Sequence, residues 1–130
     1  MIAVDTDVLV RVLTNDEPAQ ARRALRRMRA ETVWVSRTVL LETQWVLRYA
    51  YSLDADAIGT ALTTLLGVPS VEVEDRAAVV EAIAWHGAGM DFAGALHLAV
   101  SSHTSAFVSF DRRLAEAAGR AGATPKVIDP

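Results

Sequence analysis

The sequence predicts an α/β protein, a three-layer sandwich in which an open, mostly parallel five-stranded sheet carries helices on both faces. Three observations predict it: short β-branched runs recur along the chain, longer stretches with helical apolar spacing separate them, and turn or cap residues stand at the junctions. Strands that alternate with helices pair in parallel, because each return needs a crossover, and the crossover helices then cover the sheet.

The expected strands are Ile2 to Val4, Val33 to Val35, Val71 to Val73, Ala106 to Phe110 and Lys126 to Ile128. Between them, the spacing predicts helices over Val8 to Thr14, Pro18 to Ala30, Thr38 to Tyr51, Asp54 to Leu66, Asp75 to His86, Phe92 to His103 and Arg112 to Ala121. Asp7 stands before the apolar run that opens at Val8 and is expected to cap the first helix. Pro18, just after Asn15 and Asp16, fits a first helical turn, where its missing N–H costs nothing. Gly119 and Gly122 are expected to stop the last helix, and Asp91, directly before an apolar helical run, to cap the Phe92 helix.

A chain of 130 residues suits one domain over 1–130, and 52% hydrophobic content is enough to bury a core. Thirteen Lys+Arg against sixteen Asp+Glu leaves a net charge of −3, which excludes a globally basic nucleic-acid coat but not a local basic patch. Without cysteine there are no disulfides, zinc–thiolate sites or thiol nucleophiles, and a reducing interior is the natural home. No basic segment precedes an apolar core at the start, and no apolar run approaches the roughly 20 residues of a membrane helix. The expectation is a soluble, cytoplasmic chain without membrane association.

Twelve of the thirteen basic residues are arginine, and Arg22, Arg23, Arg26, Arg27 and Arg29 share one predicted helix. Such a run is ordinarily a solvated face. The sharper reading makes Arg22, Arg23, Arg26 and Arg27 a phosphate-facing stripe that holds an RNA backbone, since guanidinium forks match phosphate geometry.

The acids are placed where a doubly wound sheet gathers its carboxyl edge. Asp5 directly follows the first strand, Asp111 ends the run from Ala106 to Phe110, and Glu42 lies on the helix after the second strand. Helical neighbours of Glu42 include Val39, Trp45 and Val46, so its carboxylate is expected on an apolar face, where a cationic partner must meet it. Each Asp also has an ordinary role available, Asp5 in accepting backbone N–H groups at a strand-to-helix turn and Asp111 in capping the Arg112 helix. Carboxylates brought together must be neutralised by protons or by a divalent cation. Oxygen donors without cysteine favour Mg²⁺ or Mn²⁺ over zinc. His86, His97 and His103 lack i, i+4 ligand spacing and are read as surface or core residues. A hard divalent ion on carboxylates activates water and offsets phosphoryl charge, which is phosphodiester chemistry.

The pattern Ile2-Ala3-Val4-Asp5-Thr6-Asp7-Val8-Leu9-Val10-Arg11 resembles the first-strand motif of the PIN-domain ribonucleases, in particular the VapC toxins of bacterial toxin–antitoxin pairs. The Glu42 helix is similar to the second motif of that family, Met90-Asp91-Phe92-Ala93-Gly94-Ala95-Leu96-His97 to the third, and Ser109-Phe110-Asp111-Arg112-Arg113-Leu114 to the fourth. The likeness runs in order through essentially the whole chain. It implies a PIN-like fold and an Mg²⁺-dependent endoribonuclease with Asp5, Glu42 and Asp111 as catalytic metal ligands and Thr6 and Asp7 in support. Asp91, one helical turn before Gly94, is close enough along the helix to reach the metal through water. The likeness also implies a homodimer, a VapB-like antitoxin, an RNA substrate such as tRNA or rRNA, and products with a 5′-phosphate and a 3′-hydroxyl. The family's third motif has an Asp where this chain has Gly94. That departure removes a carboxylate and implies weak or absent cleavage, through natural variation or a disarming substitution.

Three other functions compete. Haloacid-dehalogenase-type phosphatases also open with Asp-x-Asp, as in Asp5-Thr6-Asp7, but need a later lysine, and the one lysine is Lys126. A receiver module would use Asp75, which equally fits a helix cap. A catalytically silent PIN-type module that holds an antitoxin or RNA is the stronger alternative, and Gly94 favours it. The apolar residues Leu9, Val12, Trp45 and Leu47 to Tyr51 are candidate partner contacts or core. Most of Trp34, Trp45, Trp85, Tyr49 and Tyr51 is expected in the core rather than stacked on RNA bases.

Overall fold

Five short strands and seven helices follow one another in the computed structural model, which describes all 130 residues. They fall into two units, Met1–Glu74 and Asp75–Pro130. In the first unit, β1 (Ile2–Ala3) leads into α1 (Thr6–Thr14) and α2 (Pro18–Ala30). The chain continues through β2 (Val33–Val35), α3 (Arg37–Tyr49) and α4 (Ala55–Leu66) to β3 (Val71–Val73). The three strands are parallel in the order β1-β2-β3, with Ile2 opposite Val33 and Val35 opposite Val73.

Local chemistry explains where these elements stop. Asp5 turns the chain out of β1, and its carboxylate is the N-cap of α1. Asn15 closes α1 in the left-handed conformation (φ 53°) that asparagine tolerates better than most residues. Pro18 occupies the first turn of α2. Ser36 and Asp54 cap α3 and α4 by accepting the amides of Val39 and Ala57. The core of the unit is aliphatic, with Leu9, Val33, Val35, Leu40, Leu47, Ile58 and Leu62 fully buried. Helix α1 packs on α2 and α3, and α4 packs on α3 and β3.

The second unit runs α5 (Arg76–Gly87), α6 (Phe92–Val100), β4 (Phe107–Val108), α7 (Arg112–Ala121) and β5 (Val127–Ile128). Helices α5 and α6 pack on each other, with Val79, Ala82, Phe92 and Leu98 fully buried, and α7 packs on β5. Strands β4 and β5 are parallel, with Phe107 opposite Val127. Gly122 (φ 67°) ends α7 in a conformation that suits glycine, whereas Gly119 lies inside the helix and stops nothing.

The α/β class, the element order and the parallel pairing agree with the expectation. The single five-stranded sheet is replaced by sheets of three and two strands. The ladders are short because a helix cap or turn intervenes at once: Asp5 is already the N-cap of α1, and the Asp111 amide bonds back to Ser109 Oγ at 3.0 Å beyond β4. The Phe92 helix also ends early, at Val100, where Thr104 Oγ1 donates to the Ser101 carbonyl and folds the chain into a turn.

Candidate functional site

Three aspartates at the starts of helices share one arrangement. Asp5 Oδ1 accepts the Val8 amide at 3.2 Å, Asp91 Oδ2 accepts the Gly94 amide at 3.2 Å, and Asp111 Oδ1 accepts the Leu114 amide at 3.1 Å. Each satisfies an amide that the first helical turn leaves without a partner, and a carboxylate there also meets the positive end of the helix dipole. All three side chains are exposed, and each carboxylate commits one oxygen to its cap. Asp7, expected to be the cap of α1, is instead exposed within its first turn. The helix starts two residues before the apolar run, at Thr6, which is itself buried.

Glu42 is exposed on α3 and has no hydrogen bond or ion pair, so the expected cationic partner is not there. The reason lies in its neighbours. Trp45, one turn along the helix, is 58% exposed and Tyr49 is 66% exposed, so this side of α3 faces water and the carboxylate keeps its hydration. The two rings pair with each other, centroids 5.2 Å apart, rather than entering the core as expected. Leu9 and Leu47, by contrast, are fully buried and belong to the core.

A groove of about 1110 Å³ opens in the first unit between β1, α1 and α2. Asp5 and Asp7 line one part of it, and Arg11, Arg23, Arg26 and Arg27 line another. Arg11 is held in place: Nε donates to Gln20 at 2.8 Å, and Nη1 pairs with Asp16 at 3.2 Å. The Tyr51 hydroxyl donates to the same Asp16. This hydrogen bond, helped by the Thr14 hydroxyl and the Arg11 charge, holds the Asp16 carboxyl below its ordinary value of 3.8. Arg27 pairs with Glu31 at 3.0 Å one helical turn away. Arg22, expected among the phosphate-facing arginines, does not line the groove.

Sequence reasoning missed two contacts here. Tyr51 reaches Asp16, and Arg11 beside it, across a gap of 35 residues, and only the polar character of all three hinted at it. Glu74, at the end of β3, accepts the Arg37 amide at 2.9 Å and its guanidinium at 3.3 Å, fastening the start of α3.

In the second unit, Gly94 is buried, and a Cβ on it would stand 2.6 Å from Leu114 Cδ1. His86 is buried and donates from Nδ1 to the Met90 carbonyl at 2.7 Å, with Nε2 unpartnered and Phe92 edge-on to the ring. His97 and His103 are exposed. In neither unit do three His, Asp or Glu side chains gather closely enough to hold a metal ion. No helix is long and apolar enough to cross a membrane.

No curated protein sequence matches the chain. The family model of the PIN domain does, over residues 2–120, and so reaches from β1 to the last turn of α7. PIN domains have a nuclease-type fold, are generally metal-dependent, and act on RNA. On a match of that extent, running through both units in order, the chain belongs to the PIN-domain family.

Proposed function

We propose that the chain is a VapC-like endoribonuclease toxin that hydrolyses RNA phosphodiester bonds with Mg²⁺ or Mn²⁺, at a rate reduced by Gly94. The observation that carries the reading is the PIN-domain match over residues 2–120, a span that contains Asp5, Glu42 and Asp111. The donor chemistry suits a hard divalent ion, since these side chains offer only carboxylate oxygens. Asp5 and Asp111 each commit one oxygen to a helix cap, and Glu42 commits neither. Asp91 is the further acid of the set, with one oxygen on its own cap.

A divalent ion supplies charge that offsets the developing phosphoryl charge and makes water more acidic. The chain's own contribution is placement. Capping bonds fix the orientation of Asp5, Asp91 and Asp111 before any ligand arrives, and Glu42, hydrated and unpaired, is the acid able to accept a proton from water. Thr6 and Asp7 support Asp5 from the first turn of α1. We take 1–130 as one PIN-like domain, cytoplasmic and dimeric, held in check by a VapB-like antitoxin.

A second reading, a catalytically silent PIN module that binds antitoxin or RNA, is favoured by the contact between Gly94 and Leu114: the space for the family's fourth carboxylate is filled by an apolar methyl. One comparison tests both. The chain and its Asp5→Asn variant are incubated with RNA and low-millimolar Mg²⁺ or Mn²⁺, and Mn²⁺ binding is titrated alongside. Weak cleavage abolished by Asp5→Asn supports the nuclease, no cleavage by either supports the silent module, and robust cleavage at low-millimolar Mg²⁺ contradicts the role given to Gly94.

A further inference from the structure

The groove beside β1 is lined by two aspartates and four arginines, and the arginines are unequally paired. Two of the arginines are spoken for: Arg11 on α1 by Asp16 and Gln20, and Arg27 on α2 by Glu31. Arg23 and Arg26 line the same groove, are exposed, and have no ion pair or hydrogen bond. We propose that Arg23 and Arg26 form a phosphate-binding track for single-stranded RNA along the groove that Asp5 lines, a proposal that rests on the nuclease reading of that aspartate.

The helical register of α2 separates these residues from the other arginines. Ala21 and Met28, seven apart, are its buried residues and fix the face turned to the core. Arg22 and Arg29, also seven apart, share a different stripe and do not line the groove. Arg23 and Arg26, three apart, are neighbours on the groove side, about 4.5 Å apart along the axis at 1.5 Å per residue. An unpaired guanidinium offers a planar fork of N–H donors that matches two phosphate oxygens, and holding a backbone this way needs no base sequence.

The lining also narrows the ligand. Asp5 and Asp7 repel any anion, so the occupant must lay its charge on α2 and keep it clear of the acids. A phosphodiester strand fits, because its charges repeat along a flexible backbone, each phosphate offers two oxygens to a guanidinium fork, and counterions are released on the arginines. RNA is the occupant we argue for because the chain belongs to a family that acts on RNA. An acidic peptide is the competing occupant, and the test sets the two against each other.

The test is binding without cleavage. A fluorescein-labelled, unstructured single-stranded RNA is titrated with the full chain in EDTA, by anisotropy, over a range of salt. Relative to the unaltered chain, R23Q/R26Q is expected to weaken binding at least about 5-fold near 0.1 M salt and to reduce the slope of log K against log salt by about 1.4, two contacts at about 0.7 each. R22Q/R29Q removes the same charge from the same helix and is expected to cost less than a third of that. Unchanged melting temperatures for both variants keep the comparison on binding. Equal losses in the two variants would mean diffuse attraction and overturn the track, as would no loss in either, or displacement of the RNA by polyglutamate at lower concentration than by unlabelled RNA. Cleavage by the same preparations in Mg²⁺ separates this from the nuclease reading: arginine-dependent binding without cutting leaves the track standing and removes the nuclease.

Discussion

Leu114 Cδ1 lies 2.6 Å from where a Cβ on Gly94 would stand, so helix α7 occupies the space that a side chain on α6 would enter. The clash is with the far end of a flexible, half-exposed side chain, so a rotamer change relieves it in part. Gly94→Asp is therefore expected to fold at a cost of about 1–3 kcal/mol. Gly94→Asp combined with Leu114→Ala should be destabilised by less than the sum of the two single changes, with a coupling of about 0.5–3 kcal/mol. Denaturant unfolding of the four proteins of this cycle measures it. Mn²⁺ affinity and RNA cleavage should rise in the Asp variants, and the absence of any gain would refute the view that Gly94 disarms the chain.

Capping and catalysis at Asp5 and Asp111 separate by substitution. Asparagine caps helices about as well as aspartate, so Asp5→Asn and Asp111→Asn should stay within about 0.5 kcal/mol of the unaltered stability, whereas Asp5→Ala and Asp111→Ala should each lose about 0.5–2 kcal/mol. Cleavage should disappear in all four. An Asn variant that cuts normally removes that residue from the metal set while leaving its cap role intact.

The Asp16 cluster predicts a pH dependence of known sign. Its carboxyl is held below the ordinary 3.8 chiefly by the Tyr51 hydroxyl, so folding gains from the ionised form at pH values above about 4 and loses that gain as pH falls through the depressed value. Tyr51→Phe should lower the melting temperature at pH 7, and the difference from the unaltered chain should shrink toward pH 2. A difference that grows on acidification would contradict the assignment.

Exposure on α3 predicts unequal costs within three residues. Trp45→Ala should change stability by less than about 1 kcal/mol, because its ring is largely in water beside Tyr49, while Leu47→Ala should cost about 2–5 kcal/mol from a fully buried site. Thermal unfolding of the two variants checks the order.

Much of this fold is legible in the sequence because its signals are local. Val33 to Val35 and Val71 to Val73 are strands as expected, and Pro18 to Ala30 and Arg112 to Ala121 are helices to the residue. Caps are harder where two candidates stand close together: Asp5 and Asp7 both stand near the apolar run from Val8, and the Val8 amide, bonded to Asp5 Oδ1, decides for Asp5. The misplacement of Trp45 has another cause. Helical spacing shows which residues share a face but not whether anything covers that face. The bonds from Glu74 to Arg37 and from Tyr51 to Asp16 span 37 and 35 residues, and nothing local announces them.

The capping bonds carry an evolutionary consequence. Asp5, Asp91 and Asp111 each hold the first turn of a helix, so a descendant of this chain that had lost all chemistry would still be selected to keep a capping residue, aspartate or its like, at each of them. Glu42 is under no such obligation, since it supports no neighbour. Among related chains drifting free of any demand for cutting, position 42 is where the acids should first give way, and a glutamate that persists there is the better sign of a working enzyme.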